Sequence, residues 1–489
     1  MNNKKIFAMT ISVVLLLGFF FFARADQRWG NDVRIGNIDS INCVSYDVHR
    51  GTGNIFAALV YHTGDTTWGR GYFSSNGGTS WSSIGSIFGG LYIRDLRASV
   101  SALANHFYVA YTFGAGRHKV SIERFRVSNG QQENFNNGAQ YIDIFSTNPG
   151  DSIKEITLVS DQDFDNAYLN LFAITTNGSL RYFYSDTAGI NWYEASIGVT
   201  NAKCGLDACT NEGYSNYYAF VSYVKNNNYL QIDGIDWYGN LTHLTTSFVG
   251  PNSRFTSIGA YKDTAIAVYE MSGTAVAYYC KYLTSYNGGS NWYWGIPGNE
   301  DTTYVSCCPD VAARDNGGQG IIYAYDVGSA RRFRYTWRDY YGAWSTPVQF
   351  GDNRPRSDVK PAIEYLGNGI YGSVYISYTP IYGAVYYDRS DWTGIEETNF
   401  HKIEDRILKI SPNPSRGIAN IIYNLNKSGN VKISLYDATG RLLNILTNET
   451  KSKGTHTLTL NNHSLPNGIY FVRVESPEGT ATRMMIIVK

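Results

Sequence analysis

YFSSNGGTSW, residues 72–81, is the stretch whose reading decides the fold. An apolar run ends at Ser74, Asn76-Gly77-Gly78 supplies the positive φ angles of a tight hairpin turn, and Trp81 opens the next strand. The unit returns as YSDTAGINW (184–192) and TSYNGGSNW (284–292). Three hairpins of one design predict a repeated architecture.

Working outward, the hairpin fits as the third and fourth strands of a longer unit. Upstream of the first lies SINCVSYDVHRGTGNIFAALVYHTG (40–64): a small-residue strand, a Gly-rich turn, then a strongly apolar strand. The same order recurs at 96–112, 156–174, 206–224, 258–269, 311–325 and 360–378. The spacing of roughly 50 to 58 residues lies near the period of four-stranded propeller blades. An innermost strand lines a crowded axis and favours small residues. A second strand lies between neighbouring blades and reads as an unbroken apolar run.

The seventh copy supplies only three strands before Trp392. Residues 27–35, QRWGNDVRI, resemble the fourth-strand segments at 81–87 and 344–350. Pairing them beside 384–388 would close the ring and remove an exposed edge. The expectation is therefore an all-β, seven-bladed β-propeller. Six blades are the alternative if one divergent copy is no blade.

The chain ends divide from this body. Lys4 and Lys5, the apolar run 11–22 and Ala23-Arg24-Ala25 read as a signal peptide over 1–25, cleaved before Asp26. The run is short for a membrane span, so no retained transmembrane segment is expected. The propeller then covers 26–394, and a polar, charge-rich linker covers 395–407. From 408 to 489 a second module carries strands at 418–423, 431–436, 456–460 and 469–475, which predicts a small Ig-like β-sandwich.

Composition narrows the function classes. The chain of 489 residues balances 41 basic against 41 acidic side chains, without the basic excess of a nucleic-acid binder. Its 40 Tyr and 49 Gly with only 17% charged residues suit short strands and tight turns. The cysteines are Cys43, Cys204, Cys209, Cys280, Cys307 and Cys308. Export makes Cys204/Cys209 and Cys280/Cys307 candidate bridges, while small buried thiols are the other reading. They lack zinc-ligand spacing and His is scarce, so no metal and no cofactor is expected.

The three hairpins resemble the Asp-box, or BNR repeat, of the sialidase superfamily: Ser/Thr-x-Asp-x-Gly-x-x-Trp. Ser74, Gly78 and Trp81 match, with Asn76 in the Asp position; Ser185, Gly189 and Trp192 match, with Thr187; Ser285, Gly289 and Trp292 match, with Asn287. Asn can make the turn hydrogen bond that Asp makes, and Thr makes it weakly. The resemblance implies a peripheral structural turn whose Trp packs between blades. The superfamily's Arg-Ile-Pro motif is missing, and Arg34-Ile35-Gly36 is the nearest string.

The tail resembles the type A sorting domain of the type IX secretion system. Pro412, Asn413, Pro414 and Gly417 match its opening motif, Asp437 and Gly440 its central turn, Gly468 its late turn, and Lys489 the closing basic residue. The resemblance implies handling by the type IX machinery after Sec export through the periplasm. It also implies a secreted or outer-membrane surface-attached product.

Chemistry is less legible. Arg94, Lys154, Lys203, Arg254 and Arg356 each stand within a few residues before an innermost strand, where they would ring one mouth of the propeller and attract an anionic ligand. Asp95, Glu155 and Asp358 are their candidate partners. Asp207, Asp310 and Glu364 are placed to face the axis, and Glu270 follows a central strand. No pair of carboxylates has a spacing that assigns catalysis. The leading expectation is a non-enzymatic propeller binding extracellular glycan or protein, with Tyr-rich loops such as 338–344 stacking on sugars. A divergent sialidase-like hydrolase or lyase is the alternative, and a scaffold or adhesin is the third.

Overall fold

The computed structural model describes residue 29 and residues 32–390 and 408–488. It leaves out the short internal stretches 65, 92–97, 114–116, 161–167, 212–215, 273–277, 300–305, 314–317, 328–329, 339–341, 352, 357, 368, 380, 414, 426, 438–440 and 477–478. The expected signal peptide, the linker, Arg94, Pro414, Gly440 and Lys489 therefore lie outside the described residues. The chain divides into two compact units, 1–394 and 395–489.

The first unit opens with β1 (Val33–Arg34). Six antiparallel sheets of four strands follow, each in chain order. The first is β2 (Ile41–His49), β3 (Asn54–Thr63), β4 (Thr66–Ser74) and β5 (Ser82–Leu91). The second is β6 (Ala98–Leu103), β7 (His106–Phe113), β8 (Lys119–Arg126) and β9 (Ile142–Ser146). The third is β10 (Ile153–Ser160), β11 (Leu169–Thr175), β12 (Leu180–Ser185) and β13 (Tyr193–Val199). The fourth is β14 (Ala202–Thr210), β15 (Ala219–Lys225), β16 (Tyr229–Ile235) and β17 (Leu241–Phe248). The fifth is β18 (Thr256–Tyr261), β19 (Thr264–Ser272), β20 (Tyr278–Ser285) and β21 (Tyr293–Gly295). The sixth is β22 (Ser306–Ala313), β23 (Gln319–Val327), β24 (Ala330–Arg338) and β25 (Val348–Phe350).

A further sheet joins β26 (Arg354–Pro355), β27 (Ala362–Gly367), β28 (Ile370–Thr379) and β29 (Val385–Arg389) to β1. Val33 pairs with Tyr387 and Arg34 with Tyr386, as the reading of 27–35 anticipated. The first strands pack side by side in the order β2, β6, β10, β14, β18, β22, β27, and β27 returns to β2. Asp32 fastens the closure: it accepts hydrogen bonds from Asn353 Nδ2 at 2.7 Å and from the Tyr375 hydroxyl.

Burial follows the strand order. Every residue of β11 is buried, whereas β13 has one buried residue, at its end, and β17 none. Each large side chain fully buried between sheets contributes about 1.5–3 kcal/mol, which explains the apolar second strands. The three hairpins lean on the preceding sheet. Trp81 meets the Tyr387 ring, Gly189 lies against Phe135 and Tyr108, and Gly289 lies against Leu244 and Phe220, with Trp192 and Trp292 packed on the same clusters.

The buried hydroxyls of Ser74, Ser185 and Ser285 each accept a hydrogen bond at 2.9 Å, from the backbone N–H of Gly78, Gly189 and Gly289. Asn76, Thr187 and Asn287 accept from the N–H four residues on at 3.0, 2.9 and 2.9 Å. The Thr was expected to bond weakly. It makes the bond as short as Asn does, because the turn already holds its hydroxyl against Asn191.

The second unit has two sheets: β30 (Leu408–Ser411), β31 (Ile418–Leu425) and β34 (Gly454–Asn461), and β33 (Leu442–Lys451), β32 (Gly429–Asp437), β35 (Gly468–Ser476) and β36 (Gly479–Ile487). One core of Ile421, Tyr423, Val431, Leu435, Val472 and Met485 joins them. The opening motif clasps the last strand. Asn413 accepts from Ile486 N at 2.8 Å, and Ser415 N donates to Ile486 O at 2.8 Å. Gly417 has φ +130° and His463 against it, leaving no room for a side chain. Asp437 accepts from Arg441 N at 3.1 Å across its turn, and Gly468 opens β35. Among the described residues no helix is long and apolar enough to cross a membrane.

Candidate binding site at the ring axis

The first strands wall a cavity of about 400 Å³ on the axis of the first unit. Four of its carboxylates follow one rule: a side chain on one first strand accepts an N–H from another first strand beside it. Asp47 of β2 accepts from Ala102 N of β6 at 2.7 Å, and Glu155 of β10 from Leu206 N of β14 at 2.7 Å. Asp207 of β14 accepts from Ile258 N of β18 at 3.1 Å, and Asp310 of β22 from Ile363 N of β27 at 2.8 Å. First strands in a ring are too far apart for a continuous ladder, so these side chains satisfy N–H groups that would otherwise lack partners.

Lys360 joins two of these carboxylates. Its Nζ lies 3.2 Å from Asp207 and 2.9 Å from Asp310. Burial alone would lower the ammonium's pKa, but Asp207 and Asp310 outweigh it and hold the group above its usual range. Burial raises Asp310, although Lys360 draws it back. Burial also pushes Asp47 up to about 6 against the N–H bonds from Ala102 and Val48. Glu364 is raised well above the ordinary range by burial and then by the charges of Asp47 and Asp310. It lines the cavity, and no hydrogen bond to its carboxyl is found among the described residues.

Of the described cations predicted to ring the mouth, Lys154, Lys203 and Arg356 bond to backbone carbonyls beyond their own sheet, whereas Arg254 lines the cavity and is paired within its own sheet. Lys154 and Lys203, expected just before their strands, are instead the second residues of β10 and β14, at β-bulges that turn their side chains toward the next sheet. Lys154 donates to Lys203 O, and Lys203 donates to Pro251 O at 2.7 Å. Arg254 is bidentate to buried Glu270 at 3.2 and 2.9 Å. Arg356 is bidentate to Asp358 at 2.9 and 2.5 Å and donates to Ile41 O at 2.7 Å. In the 338–344 loop, Arg338 is buried with its guanidinium 4.5 Å from the Trp344 ring.

Asp207, Asp310 and Glu364 do reach the cavity, while Lys360, Asp47 and Arg50 of its wall were not singled out from sequence. Lys360 had a signal: it opens the seventh copy where the other downstream copies open on Leu, Ile or Val. The six cysteines stand as thiols in this structure, so neither Cys204/Cys209 nor Cys280/Cys307 is bridged.

Residues 409–489 match the family described as the secretion system C-terminal sorting domain. No curated protein matches the chain. Among solved structures, the chain is similar to the BP39L lectin from Burkholderia pseudomallei (TM-score 0.50, 13% identity, 72% of this chain and 96% of the lectin). It also aligns with an α-L-arabinofuranosidase from Fusarium graminearum (TM-score 0.41, 12% identity, 74% and 98%). A third match is an Aleuria aurantia lectin described as a six-bladed β-propeller (TM-score 0.38, 17% identity, 59% and 89%). The class is thus a β-propeller followed by a sorting domain of a secretion system, which marks the chain as secreted or attached at the outer membrane.

Proposed function

We propose that this chain is an exported, seven-bladed β-propeller that binds an extracellular glycan at its axis. The ring of seven first strands, closed from β27 to β2, supports the blade count. The observation that carries the binding reading is the polar cavity in which Glu364 presents a carboxyl with no hydrogen-bond partner among the described residues. Sugar hydroxyls both donate and accept, which suits a wall of carboxyls, hydroxyls and one ammonium. The lectin likeness is consistent with this use of the fold, though it speaks for the fold alone.

On the same reading, residues 1–25 are a cleaved signal peptide, 26–394 the propeller with degenerate Asp-boxes, 395–407 a linker and 408–489 an Ig-like sorting module. The type IX machinery is the export partner, after passage through the periplasm. Deleting 408–489 is expected to hold the protein in the periplasm, and unchanged appearance outside the cell would refute the route.

A glycan array with the mature chain tests the ligand. Specific binding that Glu364→Gln weakens at least tenfold supports the axial site. Binding unaffected by Glu364→Gln and by Asp47→Asn places the ligand elsewhere. A second reading, a glycoside hydrolase or lyase, is favoured by the neighbouring Asp47 and Glu364, whose environments differ. Released sugar that disappears in Glu364→Gln would establish it, and binding without turnover would dismiss it.

A further inference from the structure

We propose that Cys307 and Cys308 close a vicinal disulfide, an eight-membered ring that sets the bulge carrying Asp310 to the axis. The first observation is backbone conformation. β22 bulges between Cys307 and Asp310, so three residue steps on β22 face two on β23. Within the bulge Cys308 has φ +53°, the left-handed region that L side chains avoid.

The fourth sheet supplies an internal comparison. β14 bulges in the same way between Cys204 and Asp207, and there the equivalent residue is Gly205 at φ +71°. Asp207 and Asp310, which end the two bulges, are the carboxylates that hold Lys360. One sheet thus uses glycine where the other uses a cysteine preceded by a cysteine. A cysteine held at an angle against its backbone preference points to a local constraint.

The second observation is the side chains. Cys307 and Cys308 are 2% and 0% exposed. Their sulfurs and a Glu270 oxygen all lie within 4.8 Å of one another. A metal ion fits this trio poorly, because Arg254 already binds both Glu270 oxygens and would place a cation beside it. Burial and the neighbouring thiol raise Cys308, which keeps it protonated and slow to react once folded. Closure therefore belongs to the folding chain, before the site is covered.

The chemistry balances by thiol–disulfide exchange. The two thiols lose two protons and two electrons in all, one sulfur–sulfur bond forms, and a protein or glutathione disulfide is reduced to two thiols. The compartments of an exported protein supply such oxidants, so occurrence in the cell rests on the export reading. A test in vitro separates the two.

The reduced full chain is unfolded, refolded in a glutathione redox buffer, denatured and alkylated. The expected result is four alkylated cysteines out of six, with the peptide that holds 307–308 two hydrogens lighter than its reduced form. Six alkylated cysteines, or a link from Cys307 to a peptide holding Cys280, would overturn the proposal. Cys308→Gly copies Gly205 and keeps the backbone angle accessible. Reductant is expected to lower the unfolding temperature of the oxidised wild type and leave that of Cys308→Gly unchanged. An equal response of the two would assign the effect to another pair and sink the idea.

Discussion

Replacing Lys360 with Met tests the electrostatic organisation of the axis. The substitution leaves the stem's volume and removes the charge, so Asp207 and Asp310 lose the ammonium at 3.2 and 2.9 Å. Breaking a buried ion pair costs about 3–5 kcal/mol when the remaining charge is sealed from water. Here the side chains of Lys360, Asp207 and Asp310 are 25%, 19% and 8% exposed to cavity water, and both carboxylates keep an N–H bond. Screening and those bonds reduce the expected loss to about 2–3 kcal/mol at pH 7. At roughly 2 °C per kcal/mol for a unit of this size, the unfolding temperature should fall by about 4–6 °C.

The pH dependence gives the sharper test. Asp310 already has a raised folded pKa, and removing Lys360 takes away what draws it back. A carboxyl raised in the folded state contributes stability below its unfolded pKa, and that contribution is lost as pH rises through the folded value. Lys360 is raised too, by its carboxylate partners, so it stays protonated between pH 4 and 8 and adds no slope of its own, while its pairing energy is lost as Asp310 is protonated on acidification. The variant should therefore approach wild type near pH 4 and fall away toward pH 8. Thermal unfolding followed by far-UV circular dichroism across that range measures it. A variant as stable as wild type at pH 8, or one whose deficit grows on acidification, would refute the reasoning.

Other substitutions probe separate parts of the ring. Gly78→Ala places a Cβ inside the Tyr387 ring at φ +93°, whereas Gly85→Ala at φ +110° meets nothing within 4 Å. Urea unfolding should show the first losing about 3 kcal/mol or more and the second about 1 kcal/mol, and equal losses would mean that the hairpin does not lean on the closing sheet. Ser185→Ala strands the Gly189 N–H in a buried turn, and the urea midpoint should report a loss of about 1–3 kcal/mol. Glu123, buried beside the Tyr111 hydroxyl at 3.0 Å, is raised to about 7 by burial. Its contribution is full below the unfolded value and lost as pH rises through 7, so Glu123→Gln should flatten the decline between pH 5 and 8. A stability gain of about 1–2 kcal/mol at pH 8 is expected from that shift, and an unchanged pH profile would count against it.

Much of the architecture was legible because it rests on local rules. Period-two patterning, apolar second strands and Asn-Gly or Gly-Gly turns located the strands, and the three hairpins fell between β4 and β5, β12 and β13, and β20 and β21. Even the pairing of residues 33–34 with 386–387 could be anticipated, since an incomplete last copy and a spare opening segment answer the same unpaired edge. Strand starts were less legible: copies placed at 156, 206 and 311 begin at Ile153, Ala202 and Ser306, because bulges insert residues that break the alternation.

The site behaved differently. A cation near the start of an inner strand looks the same in sequence whether it reaches for a ligand or for a carbonyl of the next sheet. Only the ring's curvature shows that Lys154, Lys203 and Arg356 do the latter. Likewise Asp207, Asp310 and Lys360, remote in the chain, become one ion-paired group only when the fourth, sixth and last sheets converge on the axis. The sequence alone determined the strands, their turns and the sorting tail, because each is encoded within a few neighbouring residues. The tertiary structure decided which charges are spent on holding the ring and which carboxyl, Glu364, still faces the cavity, because desolvation and pairing depend on groups that only closure brings together.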